Sequence, residues 1–129
     1  MQKDKVSILV VDDVNTVRVQ IRELLKSFGF RHISLADSGV EARIALDIAP
    51  YHLVLCDWHM QPTDGMELLQ YVRSTPKLKN IAFVMVTAES TREKVISAIK
   101  AGVDDYLVKP LTPMQIQNKV FGALLKKLG

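Results

Sequence analysis

The chain has 129 residues, enough for one domain around a single core, and its 48% apolar and 24% charged residues are ordinary for a globular protein. No apolar run approaches the length of a membrane span, and Met1-Gln2-Lys3-Asp4-Lys5 lacks the apolar stretch of a signal peptide, so a single domain over 1–129 in the cytoplasm is expected. The net charge of +3 is lopsided: residues 1–89 hold 10 Lys/Arg against 11 Asp/Glu (−1), and residues 90–129 hold 7 against 3 (+4).

The pattern alternates strand and helix five times. Val6–Val11 is an almost continuous apolar run, as expected for a strand covered on both faces. Val14, Val17, Ile21, Leu24, Leu25 and Phe28 then recur at helical spacing, and Gly29 ends them. A weak strand near His32–Ala36 follows. Ser38 and Glu41 suit a capping box for a helix running to about Ala49, with Pro50 as the stop. Leu53–Cys56 is the third strand, and Asp64 and Glu67 open a third helix through Leu68, Leu69 and Val72. Ile81–Val86 is the fourth strand. Ser90 and Glu93 are the expected cap of helix four, with Val95, Ile96 and Ile99 as its buried stripe before Gly102. Tyr106–Val108 is the fifth strand. Thr112-Pro113 starts a last helix whose inner face is Ile116, Val120, Phe121, Leu124 and Leu125. This (βα)5 pattern predicts a doubly wound α/β fold with a parallel five-stranded sheet in the order 2-1-3-4-5 and right-handed crossovers.

Parallel strands end at one edge of their sheet, and polar residues stand at five of those endings. Asp12 and Asp13 follow the first strand, Asp57 the third, Thr87 the fourth and Lys109 the fifth. Open α/β folds build their sites at this edge, beside the switch point between strands one and three. Packed carboxylates repel one another, and burial raises that cost, so such a cluster calls for a cation. Mg2+ takes hard oxygen ligands and completes its shell with phosphate, which suits Asp12 and Asp13. Asp57, in the centre, is placed to attack phosphorus as a carboxylate nucleophile. Thr87 could donate to a phosphoryl oxygen, and Lys109 could pair with another. Each residue alone also has a plainer meaning, as a turn, a cap or solvated surface. The set, at matching ends of the right strands, is what carries the signal.

These residues sit in Val10-Val11-Asp12-Asp13, Asp57-Trp58-His59-Met60, Asp64-Gly65-Met66-Glu67-Leu68-Leu69, Val84-Met85-Val86-Thr87-Ala88-Glu89, Ala101-Gly102 and Tyr106-Leu107-Val108-Lys109-Pro110. Residues 6–128 thereby resemble the receiver domains of two-component response regulators, the single-domain chemotaxis regulators above all. The resemblance implies that Asp57 accepts a phosphoryl group from a histidine kinase or phosphotransfer protein. It implies that Mg2+ is held by Asp13, Asp57 and the main-chain carbonyl of His59, with Asp12 assisting, and that Thr87 and Lys109 bind phosphoryl oxygens. It implies a cis bond before Pro110. It also implies a switch, in which Thr87 is drawn to the phosphate, Tyr106 turns inward, and the face made by helix four, strand five and helix five changes shape for a downstream protein. Such a protein is a signalling switch, rather than a metabolic enzyme, that catalyses its own phosphorylation and dephosphorylation.

The chain departs from the family pattern at several places. Gln61 intervenes between Met60 and Pro62, so the loop carrying the His59 carbonyl could take a different path. His59 replaces a smaller polar residue at a position that, with Glu89, tunes spontaneous dephosphorylation in the family. Val14 and Leu111 replace larger aromatics frequent in the chemotaxis proteins. His32 and His52 read as surface or strand-edge residues, and Cys56 as a small buried hydrophobe. The basic excess after residue 90 fits either a docking face for an acidic partner or Lys126 and Lys127 complementing the last helix's dipole. Nucleic acid is not expected, because basic runs, zinc-ligand sets and abundant aromatics are missing. The expected state is a monomer or weak dimer. With no effector domain after residue 129, the expectation is a stand-alone regulator or a receiver cut from a longer one.

Two other classes fit the fold. A Mg2+-dependent phosphatase with an aspartyl nucleophile would want a second Asp two residues after the first, where this chain has His59, and also a cap domain. A flavin-binding module would want a Gly- and hydroxyl-rich loop after the first strand, where this chain has Asp12-Asp13-Val14-Asn15.

Overall fold

β1 (Ser7–Val11), α1 (Asn15–Ser27), β2 (His32–Ala36), α2 (Gly39–Ile48), β3 (Leu53–Asp57), α3 (Gly65–Ser74), β4 (Ala82–Thr87), α4 (Arg92–Ala101), β5 (Asp105–Val108) and α5 (Pro113–Leu128) follow one another in a computed structural model. The structure describes residues 1–88 and 91–128. The five strands are all parallel, in the order β2-β1-β3-β4-β5, as the alternation predicted.

Period-two alternation splits the core into two layers. Ile8, Val10, Leu53, Leu55, Ala82, Val84 and Val86 pack with Ile21 and Leu25 of α1 and with Ile116, Val120 and Leu124 of α5. Leu9, Val11, Val54, Cys56, Phe83 and Met85 pack with Ala42 and Leu46 of α2, Leu68, Leu69 and Val72 of α3, and Ala98 of α4. Both faces of the inner strands are therefore buried, which is why they read as unbroken apolar runs. The edge strand β2 exposes His32 and Ser34 and half-buries Ile33 and Leu35, so its signal is weak.

The caps follow the local chemistry. Ser38 Oγ accepts from Glu41 N at 3.1 Å, and Asp64 Oδ1 accepts from Glu67 N at 2.9 Å. The Glu41 carboxylate reaches one residue further back than a capping box requires and accepts from Asp37 N at 3.0 Å. α4 is capped by Thr91, whose hydroxyl accepts from Lys94 N at 3.4 Å. The expected cap, Ser90, lies outside the described residues, as does Glu89. Gly29 and Gly102 take φ of 105° and 101°, the left-handed turn that ends a helix at low steric cost in glycine alone.

Two predicted faces are corrected. Ile96 and Ile99 are 38% and 61% exposed, and Ala98 is the buried residue of α4. The small alanine lets the helix approach closely. At about 100° per residue the two isoleucines then turn away from the core. Leu125 is 56% exposed because Ala123 and Leu124 fill that side of α5.

The sheet edge opposite the candidate site is tied by one guanidinium. Arg73 donates to the carbonyls of Gly102 (2.9 Å), Lys79 (2.9 Å) and Ile81 (2.6 Å) and pairs with Asp104 Oδ2 at 2.9 Å. The Asp104 side chain is only 3% exposed and also accepts from Phe83 N at 2.8 Å. Lys126 and Lys127 both stand 3.4 Å from Asp104 Oδ1. Part of the basic excess thus has its acidic partner inside the fold. His52, half-buried, accepts from Ser7 N through Nδ1 at 3.0 Å, which extends the β1–β3 pairing.

Candidate functional site

β1 and β3 are neighbours, so their last residues share one edge, and the strand endings bring the predicted side chains together. One carboxylate oxygen from each of Asp12, Asp13 and Asp57 lies within 4.8 Å of the others. Asp12 and Asp57 are buried at 1% and 7% exposure, and Asp13 is exposed at the mouth. Lys109 Nζ, arriving from the end of β5, stands 3.3 Å from Asp12 Oδ2 and 3.6 Å from Asp57 Oδ1. Thr87 is fully buried at the end of β4, and its carbonyl accepts from Lys109 N at 2.8 Å. The Lys109–Pro110 bond is cis, as the resemblance implied, and so is Gln61–Pro62, which it did not.

Several contacts fix these positions. Asp12 Oδ1 accepts from Val14 N at 2.9 Å, which leaves Oδ2 for Lys109. Arg18 of α1 donates to the Asp12 carbonyl and to Asn15 Oδ1, holding the β1–α1 turn. The loop after Asp57 turns back immediately, with Gly65 N donating to the Trp58 carbonyl at 2.8 Å. A side chain at Gly65 would meet the Asp57 carbonyl oxygen at 2.5 Å, so α3 begins hard against the end of β3.

Three carboxylates and one ammonium leave a net charge of −2. Burial holds the Asp57 carboxyl above the ordinary 3.8. The Asp12 charge adds to this, Lys109 opposes it, and Asp13 contributes less. A divalent cation would cancel the deficit, and the donors are hard carboxylate oxygens, so the residues present fit Mg2+. Cys56 is buried beside these acids, which push its thiol well above its usual range after burial itself, and it stays a packed neutral group.

His59 is exposed, with its ring stacked on that of Trp58 at 6.2 Å. Tyr106 is half-buried and meets Trp58 edge-on at 6.3 Å. Arg18 and Lys94, which stands over the Trp58 ring at 4.9 Å, were not singled out from the sequence, and Trp58 was named there only as part of the stretch after Asp57. Arg18 had a local signal, one helical turn beyond Val14. Lys94 had none, because its partner lies 36 residues away.

A family model described as the response regulator receiver domain matches residues 8–121. The chain belongs to the response regulator receiver family. The chemotaxis protein CheY of Pseudomonas aeruginosa is 39% identical over 113 residues, covering 88% of this chain and 91% of its own. Chemotaxis protein CheY-3 of Vibrio cholerae is 38% identical over 113 residues, 88% of this chain and 87% of its own. Among solved structures, the chemotaxis response regulator CheY4 of Vibrio cholerae superposes with a TM-score of 0.86 at 26% identity, covering 92% and 98% of the two chains. A response regulator receiver domain protein of Clostridium thermocellum gives 0.84 at 28% identity, covering 95% and 97%. Receivers of this type are signalling switches. No helix among the described residues of this receiver is long and apolar enough to cross a membrane.

Proposed function

We propose that this receiver accepts a phosphoryl group on Asp57 from the phosphohistidine of a histidine kinase or phosphotransfer protein, in a Mg2+-dependent reaction. The observation that carries this is the position of Asp57. It is buried at the end of the central strand, with the carboxylates of Asp12 and Asp13 within 4.8 Å and Lys109 at 3.6 Å. Asp12, Asp13, Asp57 and the His59 carbonyl would hold the ion. Bound there, Mg2+ supplies charge compensation and polarises the phosphoryl oxygens. The Asp57 carboxylate attacks phosphorus. The new O–P bond forms as the P–N bond to the donor histidine breaks, and the histidine keeps the electron pair. Lys109 moves its ammonium from the two carboxylates to a phosphoryl oxygen, and the Thr87 hydroxyl donates to another. Hydrolysis of the same acyl phosphate by water resets the switch.

The output follows from a two-state equilibrium biased by these new contacts. Thr87 moves toward the phosphoryl group, and Tyr106 takes up the space inward of it. α4, β5 and α5 then present a changed face. Ile96, Ile99 and Val108 are exposed on α4 and β5 and supply an apolar surface there for a downstream protein. The likeness to the two CheY relatives supports chemotaxis signalling in the cytoplasm as the setting, with this receiver acting as a monomer or weak dimer.

The deciding experiment is labelling by acetyl phosphate in Mg2+, followed by intact-mass measurement. The wild-type chain gains one phosphoryl group, and chelation of Mg2+ prevents it. Asp57→Asn gains none. Labelling of Asp57→Asn at full stoichiometry would refute the assignment.

A further inference from the structure

Trp58 is the junction between the acceptor strand and four other elements. Its N–H donates to the Val86 carbonyl of β4 at 3.0 Å, and its carbonyl accepts from Gly65 N of α3 at 2.8 Å. The residue as a whole is only 5% exposed. The ring meets Tyr106 of β5 at 6.3 Å and 74°, lies nearly parallel to His59 at 6.2 Å and 20°, and carries Lys94 Nζ at 4.9 Å.

Lys94 is the α4 member of this group. Thr91, Arg92 and Glu93 are exposed, and Lys94 and Val95 are half-buried, so Lys94 is where α4 first turns inward. Its stem lies against the protein while its ammonium takes an aromatic face. The indole is the strongest of the aromatic partners for a cation, and burial of the ring reduces competition from water.

We infer that Lys94 is a positioning residue: its ammonium on Trp58 holds the start of α4 against the acceptor segment and sets how readily α4 shifts when Asp57 is loaded. This rests on Asp57 as the phosphoryl acceptor. The contact is made in the unloaded arrangement. The role assigned to Lys94 requires that loading Asp57 breaks this contact, so removing it favours the loaded arrangement and by linkage tightens binding of a phosphoryl mimic at Asp57 by up to the same factor. Cation–π contacts between exposed and desolvated extremes correspond to a factor of about 2 to 30, and a half-buried lysine on a buried indole belongs near 3 to 10. Simple loss of a positive charge near an anionic pocket would act in the opposite sense and weaken an anionic ligand.

The test is calorimetric titration of beryllofluoride in saturating Mg2+, as a double-mutant cycle. Lys94→Met keeps an apolar stem and removes the charge. It should bind the mimic about 3- to 10-fold more tightly than the wild type. Lys94→Arg retains a cation for the ring and should stay within about twofold of wild type. In a Trp58→Leu background, Lys94→Met should change the affinity by less than about 1.5-fold, because the partner ring is gone. Unchanged or weaker binding by Lys94→Met, or the same tightening without the indole, overturns the role of Lys94. Failure of the wild-type chain to bind beryllofluoride at all removes the acceptor assignment itself, and this inference falls with it.

Discussion

Replacing Gly65 by alanine tests the close approach that places Asp57. The added Cβ would stand 2.5 Å from the Asp57 carbonyl oxygen, 2.9 Å from the Trp58 Cα and 2.9 Å from Met85 Sδ. Only the methionine sulfur can swing away. The first two are backbone atoms of the acceptor segment, and the carbonyl contact is 0.5 Å inside the 3.0 Å that real Cβ atoms respect. α3 must therefore back away from β3 by about that much, and overpacking of this kind costs about 1–3 kcal/mol. At roughly 2 cal/mol/K per residue, the 129-residue chain converts each kcal/mol into about 4 °C. Thermal unfolding followed by circular dichroism should show Gly65→Ala melting about 4–11 °C below wild type. Gly122→Ala is the matched control, since nothing lies within 4 Å of its Cβ inside α5. It should gain about 0.5–1 kcal/mol, or 2–4 °C, from helix propensity alone. A Gly65→Ala protein as stable as wild type would refute the account of how α3 seats Asp57.

Other expectations are as direct. Arg73→Ala takes the closest cation from the Asp104 side chain, which keeps Lys126 and Lys127 at 3.4 Å, and removes a donor from three carbonyls, so it should cost about 1–3 kcal/mol, read by urea denaturation; a loss below about 0.5 kcal/mol counts against the tie. Asp57→Asn should raise the melting temperature of the Mg2+-free protein at neutral pH. The Asp57 carboxyl is raised in the folded state, so its ionised form destabilises the fold above that raised value. The penalty fades as pH falls through the folded value toward 3.8, and the variant's advantage should disappear over the same window. An advantage independent of pH would show a different cause. Lys109→Ala should still accept phosphoryl from acetyl phosphate but lose phosphorylation-dependent binding of its target; normal target binding would remove Lys109 from the switch. Mg2+ at tenfold its Kd should stabilise the wild-type chain by about 1.4 kcal/mol and the Asp57→Asn chain by less, measured by thermal unfolding.

Much of the fold was legible because its signals are local or periodic. Strands buried on both faces must be apolar throughout, so β1, β3 and β4 announce themselves within one residue of their ends. β2, at an edge, needs only one good face and was faint. Asp64 and Thr112 declared helix starts because a cap is made by a side chain and an amide three residues on. The exposed sides of α4 and α5 were misassigned for the opposite reason. Periodicity marks apolar positions but does not say whether a buried alanine such as Ala98 or an outward isoleucine such as Ile99 faces the sheet. Gly102 and Thr91 mark the ends of α4; its rotation about its own axis is fixed by packing.

By itself, the order of residues determined that the parallel strands would end at one edge and that Asp12, Asp13, Asp57, Thr87 and Lys109 would stand there, since the chain must return to the same side before each new strand. Only the tertiary structure decided which oxygen meets which ammonium: Asp12 Oδ1 turned to Val14 N, leaving Oδ2 for Lys109. It alone placed Lys94 on Trp58 and Lys126 and Lys127 on Asp104, because those pairs come from segments 36, 22 and 23 residues apart. Short-range chemistry is written along the chain. Contacts between distant segments exist only after the helices have docked and the cost of bringing their ends together has been met by burial of the core.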